Sequence, residues 1–350
     1  MNNWIIIFES NITYNSNRHN NKLMKGDIMR IYLGIGKTIE TIEKELPEIA
    51  GANFDAIELN PLHPLKIDEV DVDKIPEWMS FQPTAFSIGN QFGTKDQLIH
   101  LCQEAKKYGI TIIADIVCCH VANGDKGEFM PNPKVDKRLT SNPYFWKPFR
   151  NITNWEDRQQ VISLCMGNLP ALELSNWELQ DMIIDYINEY IECGVRGFRF
   201  DAAKQIALPN EYYPNNFTHK CEFWERVLPA LNNREELFIY AEAIFCNREL
   251  VDEYNKYCLV ITQQVGSDPR KAISYITNHD TEDEHTFGHS LKLSEQQIVE
   301  MYNVLTDSFM HTQYYPRRKY NHEKQKYESS DFWKTSELLR SANSKMAKYH

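Results

Sequence analysis

No stretch of this chain comes near the roughly 18 consecutive apolar residues that a membrane-spanning helix requires, so no membrane span is expected. Positive charge is in short supply. Lys and Arg number 38 against 49 Asp and Glu, a formal net charge of -11. That balance argues against nucleic acid or an anionic membrane as the main partner and suits a neutral or cationic ligand. None of the eight cysteines sits in a Cys-x-x-Cys pair or beside a His-x-x-x-His, which argues against a zinc site. Several lie inside apolar runs, as small buried residues do, and a reducing, cytoplasmic compartment is expected. The apolar run at residues 4–8 lacks a basic flank and a cleavage site and is short for a signal core. The sequons at Asn11, Asn151 and Asn216 carry little weight without secretion. Linkers, low-complexity tracts and internal repeats are also missing.

What is present is an alternation of strand and helix patterns. A chain of 350 residues accommodates one large barrel or two modest domains. Strands are expected at 29–33, 54–59, 110–117, 195–200, 237–242, 258–261 and 272–278, with an eighth inside 305–315. The spacing of Ile39, Ile42, Leu46 and Ile49 is helical. Thr94 with Gln97, and Ser175 with Glu178, read as capping boxes that open two further helices. Residues 318–350 are charged and helical in character. Gly34-Ile-Gly-Lys-Thr38 resembles a phosphate loop only in part, because the leading glycine position is Ile31. The stretch from His120 to Ser175 is turn-rich and too long for an ordinary connection. It is expected to be a small subdomain, residues 121–175, inserted after the third strand. Residues 1–28 would be an N-terminal segment, and 29–120 with 176–350 a catalytic (β/α)8 TIM barrel.

The chain is organised around Gly194-Val-Arg-Gly-Phe-Arg-Phe-Asp-Ala-Ala-Lys-Gln205. Arg199 and Asp201 are two apart on a strand and therefore share a face, where a guanidinium can keep a carboxylate ionised and oriented. Similar polar signatures close other strands: Asp115 with His120, then Glu242, then His279 with Asp280. In a barrel the C-terminal strand ends converge on one pocket. An ordered Asp, Glu and Asp with two His and an Arg suits acid–base and nucleophilic chemistry.

These residues carry a resemblance to the alpha-amylase family of retaining glycosidases, glycoside hydrolase family 13. Asp115-Ile-Val-Cys-Cys-His120, Gly197-Phe-Arg-Phe-Asp-Ala-Ala-Lys204, Ile239-Tyr-Ala-Glu242 and Ile276-Thr-Asn-His-Asp280 resemble the family's four motifs, in order. Phe81-Gln-Pro83 and Ile88-Gly-Asn-Gln-Phe-Gly-Thr94 resemble its connection between the second and third strands. The resemblance implies Asp201 as nucleophile, Glu242 as acid/base and Asp280 as stabiliser of the transition state. His120 and His279 would hydrogen-bond the sugar, Arg199 would orient Asp201, and Lys204 would line the leaving-group side. Trp78 and Phe81 would stack on sugar rings, with Gln82 in the same substrate-binding set. The implied activity is hydrolysis of α-1,4 bonds in an α-glucan by a monomer. A glucanotransferase and an inactive carbohydrate-binding homologue are the alternatives. On this reading Arg199 should lower the pKa of Asp201, while burial and neighbouring negative charge should raise that of Glu242.

The pattern is broken in places. Cys119 and Ala171 stand where the family has calcium-binding Asn and Asp, and neither side chain offers a hard oxygen, so the calcium site is expected to be weakened or lost. Arg199, Asn278 and Arg317 match positions that bind chloride in some members. Gln205 replaces a frequent His, and Phe81 a frequent Tyr. The stretch between Glu242 and His279 is short for the family. After residue 318 there is no room for the usual C-terminal β-sandwich, which is expected to be absent.

Overall fold

The computed structural model describes residues 28–211, 220–262, 264–282, 293–306 and 310–345. The segment assigned to residues 1–28 lies, but for its last residue, outside them. Eight short strands form: β1 (Arg30–Gly34), β2 (Ala56–Leu59), β3 (Thr111–Ile116), β4 (Gly197–Phe200), β5 (Phe238–Glu242), β6 (Leu259–Ile261), β7 (Ala272–Tyr275) and β8 (His311–Tyr314). Each pairs in parallel with the next, and β8 returns to β1, closing a (β/α)8 barrel.

The strands read as continuous apolar runs because both faces are covered. Outward side chains such as Tyr32, Ile57, Ile112, Phe198 and Val260 join one large core with the surrounding helices. Inward ones, Ile31, Ala56, Ile113, Tyr240, Ile261, Ile273 and Tyr275, form a separate cluster within the barrel. Gly197 belongs to this interior by necessity. A Cβ there would lie 2.5 Å from Ile113 Cγ1, so only a bare backbone lets β4 sit against β3.

Helix α1 (Ile39–Gly51) buries Ile39, Ile42, Leu46 and Ile49, and Thr38 caps it by accepting the Thr41 N–H. Lys37, the last basic residue of the rejected phosphate loop, is buried against Glu45 at 2.8 Å and is structural. Helix α2 (Lys95–Lys107) carries the expected reciprocal Thr94–Gln97 capping box. Helix α3 (Trp177–Glu192) departs from expectation at its start. Its cap is Asn176, which accepts the Leu179 N–H, whereas Ser175 turns its hydroxyl to Glu173 Oε1 at 2.7 Å. Asn outcompetes Ser locally because the buried Glu173 carboxylate claims the hydroxyl.

Two strands are shorter than their apolar runs suggest. Residues 276–278 leave the sheet because Asn278 Oδ1 accepts the Thr281 N–H and starts the short helix His279–Glu282. Leu305 and Thr306 finish the helix Glu295–Thr306 rather than begin β8. After α4 (Phe223–Val227) and α5 (Arg248–Tyr254), the described residues between β6 and β7 hold a single 3-10 turn, Pro269–Lys271. The next helix is α6 (Glu295–Thr306). Residues 318–345 are not helical throughout. Arg318–Asn321 (β9) and Lys326–Ser329 (β10) form an antiparallel hairpin, with the Arg318 guanidinium 4.7 Å from the Tyr327 ring centre. A short helix, Phe332–Thr335, and then α7 (Glu337–Lys345) follow, α7 docked by the buried Asn343, which donates to Ala52 O and accepts from Tyr302.

Asn176→Ala removes the α3 cap and is expected to lower stability by about 1 kcal/mol in urea unfolding. No loss would return the capping role to Ser175.

Candidate active site

Arg199 rises from β4 into the barrel and meets four carboxylates. Its Nη1 lies 2.6 Å from Asp115 Oδ2 and 3.1 Å from Asp201 Oδ1, its Nη2 2.6 Å from Glu242 Oε1, and its Nε 3.7 Å from Glu58 Oε1. All five residues are buried. The geometry follows from strand periodicity. Asp115 on β3 is level with Arg199 on β4, which is level with Tyr240 on β5, and Asp201 and Glu242 each stand two residues further toward the C-terminal end. Strands distant in sequence thereby bring Asp201 and Glu242 onto one guanidinium.

One positive charge among four buried carboxylates cannot keep all of them ionised cheaply. Burial pushes Asp201 up to about 7, the Glu242 charge adding to the rise and Arg199 opposing it. Burial also raises Glu58, to about 7, and raises Asp115 well above the usual range. Glu242 goes the other way. Burial would raise it, but Arg199 and the Ala202 N–H, 2.8 Å from Oε2, hold it below the ordinary value. This reverses the assignment expected from sequence. Two-residue spacing placed Arg199 beside Asp201, but only the folded barrel presents Nη2 to Glu242 at the shorter distance.

The turn after Asp201 is strained. Ala202 adopts φ 47°, a left-handed conformation that L residues avoid, and this aims its N–H at Glu242. Three carbonyls of that turn are bound by cations from residues 121–175. Arg158 donates to Lys204 O and Ile206 O, and the buried Lys147 ammonium donates to Gln205 O at 3.1 Å.

The other expected site residues divide. His120 Nε2 donates to Phe81 O at 2.8 Å, and burial pushes its pKa down to about 4. The Phe81 ring lies parallel to His279 with centroids 4.7 Å apart, and Arg199 sits 5.6 Å from the Phe81 centroid. Asp280 is partly exposed, 3.6 Å from His279 Nε2, and its charge is felt at Asp201. Gln82 is buried beside Phe81, with no hydrogen-bond partner for Oε1 among the described residues. Lys204 lies 4.5 Å over the exposed Trp155 ring and 5.8 Å from Phe245. Trp78, 39 % exposed, sits on the same short helix as Phe81 but turns to the surface. Sequence reasoning missed Glu58, Tyr240, Gln313, Trp155 and Phe245. The one available signal was Glu58 itself, a carboxylate inside a fully buried strand.

The calcium and chloride readings meet this geometry poorly. Cys119 Sγ donates to Asp201 O and Ala202 O, and Ala171 offers only its backbone, which accepts the Lys147 N–H. The same joint contains the Lys147 ammonium. A thiol, a methyl and a positive charge do not fit a hard divalent cation that takes roughly six to eight oxygen ligands. Among the described residues no cluster of His, Cys, Asp and Glu could hold a metal. Arg199 already faces four carboxyl groups, so chloride would add another anion to a site short of positive charge. Asn278 caps a helix, and Arg317 donates to Leu293 O.

A family model described as "Alpha amylase, catalytic domain" matches residues 34–344. The chain belongs to the alpha-amylase family. Similar relatives include an alpha-amylase of Clostridium acetobutylicum, 34 % identical over 208 residues that make up 59 % of this chain and 27 % of that one. An alpha-amylase of Butyrivibrio fibrisolvens is 25 % identical over 68 % of this chain and 26 % of its own. The chain thus spans about a quarter of the length of these two relatives. Alpha-amylase I of Eisenia fetida, solved as a variant with maltohexaose, superimposes with a TM-score of 0.69 at 17 % identity, covering 93 % of this chain and 79 % of that one. At that identity the likeness is one of fold.

Replacing Arg199 by Met leaves the four carboxylates without a cation. Urea unfolding at pH 7 is expected to show a loss of about 3–5 kcal/mol. The loss should shrink at pH 4, where the carboxyls take up protons and need no counter-charge. An equal loss at both values would mean that the guanidinium acts mainly through packing.

Proposed function

We propose that this chain is an alpha-amylase-type retaining glycosidase that hydrolyses α-1,4-glucosidic bonds of an α-glucan. The carrying observation is the pairing of Asp201 and Glu242 on one guanidinium at neighbouring strand ends, with Asp280, His120 and His279 around them. Asp201 would attack the anomeric carbon and Glu242 would protonate the departing oxygen, then activate water. The two acids share Arg199 and Asp201 feels the Glu242 charge, so the proton that titrates near neutrality belongs to the pair. Glycosyl transfer to Asp201 requires that proton on Glu242. Displacing Glu242 from Arg199 and the Ala202 N–H as sugar enters would favour that state. Phe81, stacked on His279, and the Trp155–Lys204–Phe245 group supply flat surfaces suited to sugar faces. The maltohexaose bound to the Eisenia fetida variant is consistent with such a ligand.

One observation favours a second reading, a carbohydrate-binding protein without turnover. Glu242 accepts two hydrogen bonds that hold it ionised, a poor resting state for an acid. Product analysis on a chromogenic maltooligosaccharide separates the two. Turnover is expected for the native chain, and a fall of about 10³-fold or more in kcat for Asp201→Asn and for Glu242→Gln. A folded native chain that binds the sugar without releasing chromophore would establish the second reading; glucosyl transfer products in place of glucose release would indicate a transferase.

We further propose that no calcium is needed, because Lys147 and Arg158 already fasten residues 121–175 to the turn after Asp201. Thermal unfolding in excess chelator is expected to match that in excess calcium. A large drop in Tm with chelator would show that a metal site persists.

A further inference from the structure

Glu58 is the one charged side chain of β2, and it is fully buried inside the barrel. Its Oε2 accepts the Tyr240 hydroxyl and, at 2.5 Å, Gln313 Nε2, while Oε1 faces Arg199 Nε at 3.7 Å with no closer partner among the described residues. An apolar residue would fill this layer without any desolvation cost. Three other strands instead commit polar groups to the carboxylate. The titratable and charged groups that face it are Arg199 from β4, Asp115 from β3, and Tyr240 with Glu242 from β5. Gln313 of β8 adds an uncharged amide, and β1 brings the apolar Leu33 alongside.

Arg199 therefore has two sides. Nη1 and Nη2 hold Asp115, Asp201 and Glu242, and Nε is left to Glu58. We propose that Glu58 is a positioning residue of the reaction centre, acting through Arg199: it holds the Nε edge of the guanidinium and offsets part of its charge, so that Glu242 can carry a proton. A guanidinium with no carboxylate behind it would grip Glu242 as a fixed anion. Glu58 never touches the sugar in this account, and Tyr240 and Gln313 serve to hold its oxygens in place.

This inference rests on the glycosidase reading for its kinetic test, and Glu58→Gln provides that test. The amide keeps the shape and can still accept from Tyr240, but the negative charge is gone. Without it the carboxyls on Nη1 and Nη2 lose protons more readily above the titration of Glu58 near 7, so the alkaline limb of the pH–activity bell should move to lower pH, by about one unit, while the acid limb, where Glu58 is already neutral, stays. A purely space-filling Glu58 could lower kcat on substitution but would leave the limbs where they are. A superimposed bell in an active enzyme overturns the proposal.

Should Glu58→Gln not fold, Tyr240→Phe removes one hydrogen bond from the carboxylate and favours its neutral form. The alkaline limb should then move the same way by a smaller amount, and an unmoved limb again overturns the proposal. If the native chain shows no turnover at all, the glycosidase reading fails and melting curves decide. Burial raises Glu58 from 4.5 to about 7, so its protonated form favours the fold below 4.5 and that contribution is lost as pH rises through 7. The Tm of Glu58→Gln relative to the native chain should climb across that window. A constant difference would sink the idea in a protein without activity.

Discussion

A single buried guanidinium is the constraint on which the rest of this barrel depends. Arg199 could have been neutralised by one carboxylate, yet β2, β3, β4 and β5 each direct one toward it. Four acids in a closed interior are tolerable only if protons make up the missing positive charge. The same shortage that endangers stability makes the acids exchangeable, because small differences in hydrogen bonding then decide which one is charged. Glu242 has the better partners, and Asp201 is left to titrate near neutrality.

The second constraint is the turn that follows β4. It must bring the Ala202 N–H to Glu242 and let Asp201 reach Arg199, and it does so through a left-handed alanine. Strain of that kind persists only where surrounding contacts over-determine the backbone. Lys147 and Arg158 supply those contacts by taking the carbonyls of Lys204, Gln205 and Ile206, and Cys119 takes those of Asp201 and Ala202. The changes at Cys119 and Ala171 thus fall within a joint closed by fixed side-chain donors.

Aromatic side chains mark the C-terminal side of the strands differently. Phe81 is held flat on His279 and close to Arg199, a rigid surface next to the acids. Trp155 and Phe245 are half-exposed and share the Lys204 ammonium, whose pKa burial lowers. Trp78 has no such anchor among its described contacts. The three environments differ in how much freedom a sugar would find, and rigid rings cost less ordering on binding.

The sequence by itself determined the barrel. Strand and helix periods alternate clearly, an acid closes β3's run and those of β4 and β5, and parallel strands in a closed sheet must send such ends to one side. Strand membership of Asp115, Arg199 and Glu242 was legible for that reason, as were the Thr94–Gln97 cap and the apolar stripe of α1. Boundaries were less so: Asn176 rather than Ser175 caps α3 because a buried carboxylate competes for the serine, and 318–329 forms a hairpin that a count of charges does not reveal. Only the tertiary structure decided the charges. Which oxygen faces which guanidinium nitrogen depends on barrel register and on a backbone turn, and a difference below one ångström sends Arg199 preferentially to Glu242 rather than to Asp201. Glu58 shows the same limit. Its position on β2 was readable, but its value lies in Arg199, Tyr240 and Gln313, which stand 141, 182 and 255 residues away and meet it only when the sheet closes.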